Sequence, residues 1–249
     1  MNLLLELRDR NEILFWINAL HILAAAVVFV LCLNTNTQIL GINAYYKPLK
    51  FLLSSILFIG TMNWYLGYLP MDNSIRFYSI FISILFIFEN VYITGQAARG
   101  EMSHFNVGTP FTSTMWALMG IAATLIAIST IVVGFKFFSM EKGIISEPLR
   151  VSIIWGIMLA GIFAMEGLAM GSRMSHTVGA PDGGEGIPFL NWSTRHGDLR
   201  IAHFVGMHAL QLVPLLSFFF AQKVRDVILI ALAYGAFATF TFVRAVMKG

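Results

Sequence analysis

The chain has 249 residues, 57% hydrophobic and only 12% charged, with a mean hydropathy of +0.76. Soluble domains carry roughly 25% charged residues, so such a chain is poorly matched to water and well matched to lipid. The net charge of +3 comes from basic residues placed singly at the ends of apolar runs, which argues against a nucleic-acid surface. The single Cys32 excludes an intramolecular disulfide, a Cys-based zinc site and a CxxC redox pair.

The N-terminal MNLLLELRDR carries its charge after a very short apolar stretch, the wrong order for a cleaved signal peptide, so the first helix is expected to be retained. Apolar runs of the roughly 20 residues that span a bilayer follow at about 13–33, 50–69, 77–96, 112–134, 150–171, 201–220 and 227–247. In lipid, backbone groups must be bonded within their own segment, which makes each run a helix. The expected fold is all-α: one transmembrane domain over residues 1–249, a polytopic bundle of seven helices. Pro70, Pro110 and Pro148 fall at run boundaries, and Pro214 is expected to kink the sixth run.

Seven spans put the termini on opposite sides. The side facing the N-terminus receives short connections near 70–76, 135–149 and 221–226. The other side receives 34–49, two Gly-rich loops at 97–111 and 172–200, and the C-terminus. Loops of that length are commonly functional, and His104, His176, His196, His203 and His208 lie on or near that side. Lysines and arginines divide evenly between the sides. Lys142, Arg150, Lys223 and Arg225, in short loops, favour a cytoplasmic N-terminus.

Charged residues inside spans are expensive and mark function or cross-bundle bonding. Glu89, Glu166 and His208 are expected roughly 8–10 Å below the loop-rich side at a 1.5 Å rise per residue, with His21 deeper. Glu89, Tyr92, Gln96 and Arg99 recur at i, i+3, i+7 and i+10. Glu166 and Arg173 share a face, as do Lys47, Lys50 and Ser54, and His208 and Gln211. These stripes describe a polar cavity open to the loop-rich side. The structural alternative is that each Glu bonds across the bundle, for example to Asn63 or Gln211.

In RHGDLRIAHFVGMH, His203 and His208 are five apart, about 140° around a regular helix, unlike the i, i+4 pair of a zincin. One metal binding both requires a π-bulge or a displaced helix start. With no thiolate pair, Zn²⁺ or Fe²⁺ would take imidazoles and carboxylates: His176, His203, His208 and Asp182 as ligands, with Glu89, Glu166 and Asp198 as acid/base groups. Lys47, Lys50, Arg99, Arg173, Arg200 and Gln211 would hold an anionic head group. Three readings follow. The first is a metal-dependent enzyme acting on a lipid or other hydrophobic substrate. The second is a proton-coupled carrier using Glu89, Glu166 and His208. The third is a haem b protein with His21 and His208 as axial ligands. An inverted repeat or paired broken helices, which would favour a carrier, are not evident in the sequence.

The strings KPLKF (47–51), QAARGEMSHFN (96–106), SHTVGAPDGGEGIPF (175–189) and WSTRHGDLRIAHFVGMHALQ (192–211) together resemble an uncharacterised family of bacterial multi-pass membrane proteins. That resemblance implies a bacterial inner membrane and brings no activity. A weaker similarity is to seven-helix membrane zinc hydrolases of the alkaline ceramidase and progestin/adiponectin receptor type. Those carry HxxxH in the last helix, where this chain has HxxxxH in the sixth.

Overall fold

A computed structural model describes residues 3–248. The described residues are mostly helical, with two minimal hairpins, and six helical stretches are long and apolar enough to cross a membrane: Glu12–Asn34, Tyr46–Leu66, Asn73–Ala98, Pro110–Phe137, Glu147–Arg173 and Val224–Met247. The sixth expected run is a pair of shorter helices, Leu199–Met207 and Ala209–Phe220, bent by 51°, so the count is up to seven if the pair is one span. This is the pattern of an all-α, multi-pass membrane protein. Large side chains left outside the packing, such as Phe218, Phe219 and Phe220, suit acyl chains.

The described residues divide into two compact units, Met1–Ala122 and Ala123–Gly249. The first holds α1 (Leu3–Arg10), α2 (Glu12–Asn34), the hairpin β1–β2 (Gln38–Ile39 with Ile42–Asn43), α3 (Tyr46–Leu66), α4 (Asn73–Ala98) and the start of α5 (Pro110–Gly134). The short helix α1 was not expected from the sequence. Asn11 separates it from α2 and ties the corner together. Its side chain accepts from the Leu14 N–H as a helix cap and donates to Ser79 Oγ at 2.8 Å, and its carbonyl accepts from Asn63 Nδ2 at 3.3 Å. Asn90 Nδ2 donates to Ser55 Oγ at 2.9 Å, a second polar link between α3 and α4. Asn63 is thus bonded to Asn11 and not to a glutamate.

The second unit holds the rest of α5, then α6 (Glu147–Ala164), α7 (Glu166–Arg173), the hairpin β3–β4 (Thr177–Val178 with Gly197–Asp198), α8 (Leu199–Met207), α9 (Ala209–Phe220) and α10 (Val224–Met247). Glycines set the close approaches, as small residues do between membrane helices. Gly206 lies against the Phe163 ring, Gly161 against Ile131, Gly134 against Ile157, and Gly197 against the Ala245 carbonyl.

Two helices of this unit are interrupted. Pro214 was expected to kink the sixth run, and it lies inside α9; the bend falls six residues earlier, at His208. There Tyr234 Oη donates to the Val205 carbonyl at 2.6 Å, supplying a donor where the ladder is disturbed. At Met165, between α6 and α7, the ladder tightens to i→i−3 bonds, Met165 N–H to Ile162 O and Leu168 N–H to Met165 O.

Candidate functional site

The richest cluster of functional groups lies in the second unit, where the loop after α7 returns to the start of α8. Thr177 pairs with Asp198 and Val178 with Gly197, and the Leu199 N–H donates to the His176 carbonyl at 3.0 Å. The Gly-rich loop therefore brings His176 to the N-terminal end of α8, as its sequence suggested it could. Gly179 and Gly183 take positive φ in this loop, a conformation that costs other residues strain.

Asp182 is the organising group of the loop. Its carboxylate accepts from the N–H groups of His176 and Thr177, from Ser175 Oγ at 3.1 Å, and from His176 Nδ1 at 2.7 Å. A carboxylate only accepts, so His176 Nδ1 carries the proton in this bond. Partial burial works against the ionised form of Asp182. The side-chain and backbone donors of His176 and the Thr177 N–H outweigh it and hold the carboxyl well below the usual carboxylate range. Its folded value thus lies below the roughly 3.9 of an unfolded chain. The stabilisation is complete above that pH and is lost as pH falls toward the folded value. Protection against hydrogen exchange across 175–182, relative to the free-amide rate at each pH, is accordingly expected to be full at neutral pH and to decline below about pH 4. Asp182→Asn should exchange fast at neutral pH and lose the acid-dependent step.

His203 is fixed in the same manner by a different acceptor. Its Nδ1 lies 2.9 Å from the Phe163 carbonyl, which sits at the Met165 irregularity, so Nδ1 donates and Nε2 remains the basic nitrogen. The ring lies against Gly167, its Cε1 3.6 Å from where a Cβ on that glycine would stand, and His176 is within electrostatic reach. The residue before Gly167 is Glu166. Both of its carboxyl oxygens are buried, and no hydrogen-bond partner for either exists among the described residues.

The other expected site residues have the following partners. His208 Nδ1 faces Gln211 Oε1 at 3.2 Å, and its ring packs on Phe204. Asp198 caps α8: it accepts from the N–H groups of Arg200 and Ser193 and pairs with the Arg200 guanidinium at 2.6 Å. Arg200 also donates to the Asn191 carbonyl. Arg173 is exposed at the end of α7. Among the described residues, no three His, Cys, Asp or Glu side chains form a set that could hold a metal ion.

In the first unit, Glu89 is buried in α4 without a bonded partner among the described residues. Gln96, on the same stripe, donates to Glu101 and to the Met102 carbonyl, and Arg99 pairs with Glu101 at 3.1 Å. Lys47 Nζ stands 6.0 Å from the Phe51 ring centroid, and Lys50 is half-buried one turn on. His21 Nδ1 bonds the Ile17 carbonyl of its own helix at 2.8 Å.

Sequence reasoning missed the Phe163 carbonyl, Tyr234 and Asn11. Tyr234 and Asn11 were visible as polar groups at or within apolar runs. The carbonyl had no sequence signal, because every residue carries one and only the fold decides which meets a side chain. Comparison with protein-family models, with curated proteins and with solved structures returned no match.

Proposed function

We propose that the chain is a proton-coupled membrane carrier, whose proton path runs through Glu166, His203 and the His176–Asp182 pair of the second unit. The observation that carries this reading is the Glu166 carboxyl, buried with both oxygens unbonded, in the residue before the glycine that the His203 ring lies against. An ionisable group at membrane depth without a fixed partner suits proton exchange better than bundle stability. The two interrupted helices, at Met165 and His208, support the same reading. Carriers place their sites at discontinuous helices, and this is the feature the sequence did not reveal. His176 and Asp182, in the loop, would connect Glu166 to water.

The test is purified protein in liposomes loaded with a pH-sensitive dye, with flux driven by a potassium gradient and valinomycin. Proton movement above that of empty liposomes is expected, reduced in His203→Gln and absent in Glu166→Gln. No flux from the wild-type protein, with a bound transition metal or haem iron near one per chain, would overturn the carrier.

That outcome would support the second reading, a Zn- or Fe-dependent enzyme acting on a lipid or hydrophobic substrate. One observation favours it: His176 and His203 each hold Nδ1 against an oxygen acceptor, the arrangement that orients a metal-ligating imidazole. Haem held by His21 and His208 would show a Soret band in the same preparation.

The carrier reading takes α8 and α9 as one bent span, giving seven spans with a cytoplasmic N-terminus in a bacterial inner membrane. Reporter fusions after Arg10 and after the last residue should then report opposite sides. The same side at both ends would mean an even number of spans.

A further inference from the structure

At the other end of the first unit, the chain builds a polar depression of about 540 Å³ where α1 meets the starts of α2 and α4. It is lined by Arg8, Asp9, Arg10, Asn11, Glu12, Ile13, Met71 and Arg76. Its floor is fixed, because Asn11 is bonded to α3 and α4 as described above.

The charges around it are not equivalent. Arg10 is fully engaged: it pairs with Glu6 at 2.8 Å, donates to the Trp64 carbonyl, and stacks over the Trp64 and Tyr68 rings at 3.9 and 4.6 Å. Arg8 has only a loose pair with the adjacent Asp9, at 3.4 Å and well exposed on both partners, an arrangement of little energetic weight. Arg76 has no hydrogen-bond or ion-pair partner among the described residues and is exposed. Two cations are thus available on the rim, and two carboxylates, Asp9 and Glu12, stand on the same rim.

Two features place this rim at the level of lipid head groups. Trp64 and Tyr68, joined by an indole-to-hydroxyl bond of 2.9 Å, sit at the end of α3, where aromatic belts lie. Leu3, Leu4 and Leu5 of α1 are about half exposed or more. A short helix with bare leucines and a charged opposite end, beside an aromatic belt, lies in the interface with its apolar face toward acyl chains.

We propose that this depression is a binding site for the head group of phosphatidylethanolamine. Arg8 and Arg76 would hold the phosphate, Asp9 and Glu12 the primary ammonium, and Leu3–Leu5 the first methylenes of the chains. An anionic lipid would leave the two carboxylates facing negative charge. A choline head group has no N–H to donate to them.

The site is tested by native mass spectrometry of detergent-purified protein titrated with dioleoyl phosphatidylethanolamine, phosphatidylcholine and phosphatidylglycerol. One ethanolamine lipid is expected to be retained preferentially. Arg8→Gln with Arg76→Gln should weaken it roughly five-fold per arginine removed. Asp9→Asn with Glu12→Gln should abolish the preference over phosphatidylcholine while leaving phosphate-dependent retention. All four residues are exposed, so melting temperature should not change and loss cannot be ascribed to misfolding. Equal retention of the three lipids, preference for phosphatidylglycerol, or a preference indifferent to both double variants would each overturn the proposal. Retention of O-phosphoethanolamine without retention of the ethanolamine lipid would overturn it in favour of a soluble ligand.

Discussion

Glu166→Gln is expected to abolish proton flux while leaving the protein as stable in detergent as the wild type. The reasoning starts from what the carboxyl lacks. Neither oxygen is bonded, so the amide replaces no hydrogen bond and relieves the cost of holding an ionisable group out of water. Even where membrane side chains do bond between helices, the average contribution is only about 0.6 kcal/mol. A structural Glu166 would therefore show as a shift in melting temperature with flux intact. A proton-carrying Glu166 shows the opposite, a loss of two orders of magnitude or more in flux, since Gln cannot exchange a proton. Glu166→Asp separates the two further: it keeps the acid on a shorter arm and should retain part of the flux.

The largest effect on folding is expected from Gly197→Ala. Gly197 lies in β4, and an added Cβ would fall on the Ala245 carbonyl, backbone against backbone, with no flexible side chain to give way. Insertion into a packed site costs roughly 1–3 kcal/mol, and more when the obstacle is rigid. Here either β4 or the end of α10 must move. Displacing β4 also displaces the Leu199 N–H bond to the His176 carbonyl and, with it, the entry to α8. The melting temperature should fall by roughly 6–12 °C, and flux should fall with it because His176 is carried by the same hairpin. Gly184→Ala, in the same loop with open space around it, is the matched control and should change neither.

Much of this architecture is legible in the sequence because lipid imposes a simple rule. A run of about 20 apolar residues must be a helix, and six of the expected runs are found within a few residues of their expected ends. The exception is instructive. Pro214 advertised a kink, and the bend came at His208, where the Tyr234 hydroxyl of another helix donates to the Val205 carbonyl. The helix α1 was missed because its eight residues are too few to show a period. The loop site was half legible. Gly-rich spacing around Asp182 signalled tight turns beside His176, but that Asp182 would serve His176, while Asp198 would serve Arg200 and the cap of α8, depends on the register of a two-residue hairpin. Nothing in composition distinguishes those two aspartates.

The tautomers of His176 and His203 carry a consequence for mechanism. An imidazole conducts by accepting a proton at one nitrogen and releasing another from the opposite one. In both rings the Nδ1 proton is held by an oxygen acceptor, a carboxylate for His176 and the Phe163 carbonyl for His203. A carboxylate can take that proton and a backbone carbonyl cannot, so on the proposed path His203 alone would load and unload through Nε2, donor and recipient visiting the same nitrogen in turn. Such a step would not stream protons as a water wire does. It would pass them one at a time, at the pace of whatever motion alternates the visitors, as a machine coupling proton entry to another event requires.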